Sequence, residues 1–413
     1  MTEAERIITT IERLGHQGDG VAKGPLFARR TLPGEVVSGI ADGQNLTDIR
    51  VETPSDARIK ASCRHYKSCG GCNLQHASDA FVENWKQEFV RHALTAQGLE
   101  AEFRPLYTSP ERSRRRATFA ARRTKKGAQV GFYTAGTDII TPIVDCQVMV
   151  PDLVEALPFV EQLAVLGSSR KTPLAVTVTS SIGGLDVSVK QGKPLDAKLR
   201  MELAQLFGSY PVARLTWDDD LVAMEQPPSQ SFGVAQVTIP AGAFLQATKD
   251  GELALLKSVQ EITQGAKRIM DLFAGCGTFS LPLAKHAEVH AIEGEPEMIA
   301  ALDTGWRRAQ GLHKVTATTR DLFRRPVLPE EFNPFGAEFD AVVIDPPRAG
   351  AEAQTAELAR SNVPIIAYVS CNPVSFARDA RILVDAGYRL NWIQVVDQFR
   401  WSAHAELVAS FTL

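Results

Sequence analysis

Hydrophobic and polar positions follow different rhythms along this chain. From residue 5 to 53, β-rich runs such as RIITTIERL and EVVSGI alternate with turn-rich stretches, GHQGDGVAKGP and LPGE. Nothing there sustains the 3.6-residue repeat of a sizeable helix, so a small β-barrel of about five strands is expected, with the OB-like class a candidate. Further on, Phe81, Trp85, Phe89 and Ala93 recur every four residues, with Ser78 or Asp79 placed to cap a helix and Gly98 to close it. Over 100–245, segments such as ATFAARRTKKGAQVGFY and PLAVTVTSSIGGLDVSVKQ predict an antiparallel sheet, with a helix at about 151–166. From about 246 the runs RIMDLF, EVHAIE, KVTATT, FDAVVID, PIIAYVS and RLNWIQVV are mostly separated by helical patterns, and ELVASFTL ends the chain. That alternation predicts a doubly wound parallel sheet. The expected fold is α/β: an N-terminal OB-like β-barrel (1–56), a central α+β domain (57–245) and a C-terminal doubly wound Rossmann-like domain (246–413).

Composition agrees with this picture. A chain of 413 residues suggests two or three domains. No apolar run approaches the ~18 residues of a membrane helix. MTEAERIITT lacks the basic start and apolar stretch of a signal peptide, so a cytoplasmic monomer with no membrane partner is expected. In a reducing compartment the six cysteines read as metal ligands or catalytic groups before disulfides. Net charge is −3, so a polyanion would need a local basic patch. One exists: RSRRRATFAARRTKK, residues 112–126, carries eight Arg or Lys and no acid, with Phe119 within it and Phe132 after it. It predicts a strand pair presenting a basic face to phosphates; the plainer alternative is an ordinary solvated strand.

The candidate chemistry lies in the last third. IMDLFAGCGTFSLPLA is a strand, a glycine turn and a helix, in which Gly275 and Gly277 let a ligand approach the backbone. Glu293 ends the next strand, eighteen positions after Gly275, where a carboxylate can accept from both ribose hydroxyls. Ser280 stands where a dinucleotide fingerprint wants its third glycine, which favours S-adenosylmethionine over NAD. In VVIDPPRAG, Asp345 ends a strand and Pro346-Pro347 forces an extended loop suited to holding an acceptor base. In YVSCNPVSF, Cys371 sits where a strand leaves the core, the edge at which open α/β sheets carry their sites.

Together, DLFAGCGTFSLPLA (271–284), IEG (292–294), DPPRAG (345–350), SCNP (370–373) and HAEL (404–407), with FLQAT (244–248), resemble the RNA 5-methyluridine methyltransferases. GHQGDGVAKG with LPGE resembles their N-terminal TRAM module. CRHYKSCGGC plus Cys146 resembles the four-cysteine iron–sulfur site of the 23S ribosomal RNA members. The resemblance implies Cys371 as nucleophile, Glu406 as general base, and Gln246, Phe273, Glu293 and Asp345 as cofactor contacts. It also implies Cys63, Cys69, Cys72 and Cys146 as ligands of a [4Fe–4S] cluster. By count alone four thiolates suit zinc equally well. Thr278 departs from the family, where many relatives place asparagine, as does the wording before the glutamate in AHAEL. Cys276, inside the glycine turn, reads as packing.

The implied reaction explains the residue types. Uracil C5 is a poor nucleophile until a thiolate adds to C6 and turns the ring into an enolate. C5 then takes the methyl group, and a base removes the C5 proton so that the adduct can eliminate. The RNA base must be flipped or single-stranded to react. Three other readings are weaker. Base N-methylation wants an aromatic where Arg348 stands; cytosine-5 methylation usually adds a second cysteine in the DPP loop; a non-catalytic RNA-binding assembly factor would not need Cys371, Glu406 and Asp345 together. Transfer RNA is the alternative substrate to ribosomal RNA.

Overall fold

The computed structural model describes residues 6–333 and 338–413. The first five residues of the expected barrel segment lie outside them. Five strands, Arg6–Leu14, Gly20–Ala22, Leu26–Ala28, Val36–Asp42 and Asn45–Thr53, close a barrel in the order 1-2-3-5-4. Ile11, Ala22, Ala28, Val37 and Leu46 fill it. Buried Glu35 pins the barrel to the following segment through Arg58, whose Nη2 donates to Oε2 at 2.7 Å.

A seven-stranded sheet follows, built from Arg116–Arg123, Ala128–Tyr133, Ile140–Pro142, Leu174–Ser181, Gly184–Lys190, Val212–Trp217 and Asp220–Met224. It is antiparallel as expected except for one pair. Gly184–Lys190 and Val212–Trp217 run parallel, because the helix Ala197–Phe207 crosses over between them. The helix expected at 151–166 is two helices, Pro151–Glu155 and Leu157–Gly167, broken at Ala156, with Pro158 in the second helix's first turn. Fully buried Trp217 lies against Gly167 and Gly192, where a Cβ would come within 2.1 and 2.3 Å of its ring.

The C-terminal sheet has Val315–Thr319, Glu288–Glu293, Arg268–Leu272, Ala341–Ile344, Ile365–Ser370, Glu406–Thr412 and Arg389–Asp397 side by side. In chain order within this sheet that is 3-2-1-4-5-7-6, with the seventh strand inserted antiparallel between the fifth and sixth. Two short strands from far upstream, Glu102–Phe103 and Tyr107–Thr108, extend its edge. The helix Asp79–Thr95 packs here as well, its Val90 and Leu94 joining the core of this sheet. Its buried stripe is Val82, Lys86, Val90 and Leu94, one residue on from the expected Phe81, Trp85, Phe89 and Ala93, which are half-buried. The displacement follows from Lys86, whose ammonium is fully enclosed and paired with Asp397 Oδ1 at 2.6 Å. A lysine at that position reads as a solvent face until its partner, 311 residues away, is known. No helix among the described residues is long and apolar enough to cross a membrane.

Candidate active site

The strand Ile365–Ser370 stops at Cys371 because Asn372 caps the helix Pro373–Asp385, its side chain accepting from Val374 N at 3.1 Å. Ser370 pairs with Leu407 on the antiparallel neighbour, so Glu406, the first residue of that strand, stands at the same edge as Cys371. Asp345 directly follows the adjacent parallel strand, Ala341–Ile344. The two loops are tied together: the Arg348 carbonyl accepts from Asn372 Nδ2 at 2.8 Å and from Ser375 Oγ at 3.1 Å. A cavity of about 530 Å³ opens over Cys371, walled by Arg348 and His404 and, from upstream, by His16, Gln17, Asn73 and Phe89.

Acidic groups predominate at this edge, and burial opposes their ionisation. Glu406 is 2% exposed, and burial pushes its carboxyl up to about 7 against the pull of an N–H donated by Gln398. Asp345 is raised well above the usual range by burial and by the neighbouring Glu406 and Asp271. Asp271 is itself buried and pushed up to about 7, with Ser280 Oγ donating to it. Cys371 is pushed up to about 11 by burial, then by Glu406 and Asp345, with Arg348 acting the other way. An edge that strains to stay uncharged is suited to a cationic ligand.

The glycine turn has the expected shape. Phe273, Gly275 and Gly277 lie at positive φ, +62°, +56° and +92°. A Cβ on Gly277 would press within 2.9 Å of Leu281, whereas one on Gly275 would meet nothing within 4 Å. That open space beside the backbone fits a bound ligand. Glu293 accepts from Gly275 N and Glu295 N, both at 3.0 Å, which fixes its carboxylate at the turn's rim. Half-buried Phe273 packs on exposed Phe323, ring centroids 5.5 Å apart. Gln246, 2% exposed, donates to Asp345 Oδ2 at 3.3 Å and so reaches the site from the other side. Cys276 is buried in the core, as expected of a packing thiol. Gln398, which no sequence motif singles out, bonds both Gln246 and Glu406. Its surroundings form only when residues 246 and 406 meet.

Cys63, Cys69, Cys72 and Cys146 line one cavity of about 470 Å³. Burial pushes Cys72 up to about 12, and its three fellow thiols add to the rise. Burial likewise raises Cys69 and Cys146. The crowding disfavours the thiolate form of Cys69, Cys72 and Cys146, the condition a bound cation relieves. Among the described residues no three His, Cys, Asp or Glu side chains are arranged to hold a metal ion directly. The cysteine loop is held by Gly70 N on Tyr133 O at 2.9 Å, and by Asn73 N and Leu74 N on Trp401 O at 2.8 and 3.0 Å.

The basic segment is corrected in part. It does form a strand pair, Arg116–Arg123 with Ala128–Tyr133. Arg115, however, is buried and bonded to Glu252 Oε2 at 2.5 Å, Gln246 O at 3.1 Å and Gln230 Oε1 at 3.2 Å. It braces the FLQAT segment and cannot meet phosphate. Phe119 is fully buried and stacked on Phe132, so it is core and cannot stack on a base. The exposed cations are Arg112, Arg123, Lys125 and Lys126.

Comparison with known proteins agrees with this geometry. Residues 317–410 match the tRNA (uracil-5-)-methyltransferase family model. An uncharacterized RNA methyltransferase of Rhizobium meliloti is 44% identical over 97% of this chain and 98% of its own length. The 23S rRNA (uracil(1939)-C(5))-methyltransferase RlmD of Shewanella piezotolerans is 32% identical over 99% of this chain and 96% of its own. In fold, the chain is similar to the crystal structure of Pyrococcus abyssi tRNA (uracil-54, C5)-methyltransferase in complex with S-adenosyl-L-homocysteine. That likeness has a TM-score of 0.77 at 23% identity and covers 98% of this chain and 99% of that one. With a cysteine and a buried glutamate at one sheet edge, a ligand-ready glycine turn beside them and full-length relatives of this kind, the chain belongs to the S-adenosylmethionine-dependent RNA (uracil-5-)-methyltransferases.

Proposed function

We propose that this enzyme, acting as a cytoplasmic monomer, methylates C5 of one uridine in 23S ribosomal RNA through a Cys371–C6 adduct that Glu406 resolves. The observation that carries the reading is the meeting of Cys371 and Glu406 at adjoining strand ends, one register step beyond the Ser370–Leu407 pair. Cys371 Sγ, after its thiol gives up its proton, bonds to C6, electron density moves to C5, and C5 takes the methyl group as the donor's sulfur–methyl bond breaks. Glu406 then removes the C5 proton, and the Sγ–C6 bond breaks to restore the aromatic ring. A carboxyl brought to about 7 is matched to proton abstraction near neutral pH. Gln246, Phe273, Glu293 and Asp345 would hold S-adenosylmethionine, which when bound supplies the electrophilic methyl group on a sulfonium cation. A cation beside Asp271, Asp345 and Glu406 would relieve the cost of ionising these buried carboxyls, and every residue named comes from one chain.

The ribosomal substrate is supported by the name of the Shewanella relative and by the four-cysteine loop. Cys63, Cys69, Cys72 and Cys146 would hold a [4Fe–4S] cluster whose chemistry here is structural, because methyl transfer moves no net electrons. The N-terminal barrel would serve as a TRAM-type RNA-binding module.

Glu406→Gln tests the mechanism. Gln is close to Glu in shape but cannot take the proton, so the methylated adduct should form and resolve ~10²–10⁴ times more slowly. A denaturing gel with unmodified 23S RNA fragment should show a slow band that protease removes and that the double variant with Cys371→Ala lacks. Normal turnover in Glu406→Gln would reject Glu406 as base. Mapping 5-methyluridine in RNA from cells lacking this chain decides between ribosomal and transfer RNA.

A further inference from the structure

Gln398 follows the strand Arg389–Asp397 and is 1% exposed. Its amide uses its full hydrogen-bonding capacity. Oε1 accepts from Ala247 N at 2.7 Å and from Thr248 N at 3.4 Å. Nε2 donates to Gln246 Oε1 and to Glu406 Oε2. The two backbone N–H groups decide the polarity, since only an oxygen can face both; the NH₂ must therefore face Gln246 and Glu406. The oxygen of Gln246 is already an acceptor, so its own NH₂ faces Asp345 Oδ2. Backbone donors at 247 and 248 thus set the direction of hydrogen bonds that end on both carboxylates of the site.

We propose that Gln398 is a positioning residue that aims Glu406 and holds it in its ionised, proton-accepting form while locking the Gln246 segment to the same point. The proposal rests on the reading of Glu406 as general base. An N–H given to a carboxylate favours its charged form, which opposes the burial of Glu406. Other charges at this edge are accounted for. Asp345 and Cys371 face Glu406, with Asp271 behind Asp345. Arg348 lies beside Cys371, Asp397 is paired with Lys86, and His404 senses Arg348, Lys86 and Arg114. Gln398 is the side-chain hydrogen-bond donor to Glu406 among the described residues.

Gln398→Met keeps the bulk and removes the donor; Gln398→Glu keeps the shape and puts an acceptor against Glu406. Adduct resolution is followed in single-turnover reactions from pH 5.5 to 9.5, with adduct formation read in the same samples. In Gln398→Met the rising limb of the resolution rate should move about one unit alkaline, roughly a tenfold loss on the acid side that is recovered at high pH. In Gln398→Glu the displacement should be larger, because like charges then face each other. Adduct formation shows that a variant is folded; if Gln398→Met forms none, Gln398→Glu decides. A limb that stays in place while the rate falls by a pH-independent factor would overturn the proposal and leave Gln398 as packing. Glu406→Gln run alongside separates the two readings. If it resolves adduct at the parent rate, the base assignment fails. If it traps adduct while the Gln398 variants keep the parent limb, only the role of Gln398 fails.

Discussion

At the scale of the residue, the buried Glu406 couples its proposed catalytic role to stability. Burial raises its carboxyl from 4.5 to about 7, so the folded state keeps a proton that the unfolded chain has lost over that interval. The sign follows: the stability that goes with the neutral group is fully present below about 4.5 and is lost as pH rises through about 7. Glu406→Gln removes the ionisation and should match the parent in stability at pH 4.5. Above pH 7 it should exceed the parent by on the order of 2–4 kcal/mol. Denaturant melts at the two pH values measure the gap, and equal stabilities at pH 8 would show that Glu406 is not held against ionisation. Cys371 and Glu406 could be chosen from the sequence because each sits at a strand boundary within a specific motif, Cys371 just after one strand and Glu406 opening another. Gln398 could not, because DQFRW has no pattern that distinguishes a bridging amide from a surface one.

At the scale of the element, the strand of basic residues shows where reading by composition stops. The pairing of Arg116–Arg123 with Ala128–Tyr133 was legible from alternation. Which cations face solvent was not, because Arg115 finds Glu252 only when the helix Lys249–Ile262 docks, 137 residues on. The two classes should behave differently. Reversing the charges of Arg123, Lys125 and Lys126 should flatten the salt dependence of RNA affinity by about one unit of slope per lost phosphate contact, with stability unchanged. Arg115→Ala strands Glu252, which is left with the half-exposed Lys249, and should cost about 3 kcal/mol of stability while leaving the slope nearly intact. Filter binding across a salt series, paired with melts, checks both. An unchanged slope after the triple reversal would return this hairpin to being an ordinary solvated one. The helix Asp79–Thr95 carries the same lesson: its cap at Ser78 was readable, but its buried face was not, since Lys86 lies inside it.

At the scale of the whole molecule, the active site is closed by parts of the chain that sequence order keeps far apart. The barrel turn gives His16 and Gln17 to the wall over Cys371, and Asn73 Nδ2 of the cysteine loop donates to Gln17 O at 3.2 Å. Asn73 N and Leu74 N both donate to Trp401 O, in the loop that leads to Glu406. The cysteine loop therefore buttresses the segment preceding Glu406. Removing the proposed metal should be felt at Glu406 without disturbing the cofactor turn, which stands on the strand Arg268–Leu272 at the other side of the site. Cys69→Ser, or the parent stripped of metal by chelation, should show faster hydrogen exchange at Asn73, Leu74 and residues 401–406. Protection over 268–272 should stay at the parent level. Affinity for S-adenosylmethionine should hold, because the contacts proposed for it at Phe273 and Glu293 do not touch the cysteine loop, while adduct resolution should slow if Glu406, the proposed base, loses its alignment. Iron content and hydrogen exchange are measured on one preparation. Loss of metal with unchanged exchange at 73, 74 and 401–406 would show that the cysteine loop holds its place unaided and that the site depends on the barrel contacts alone.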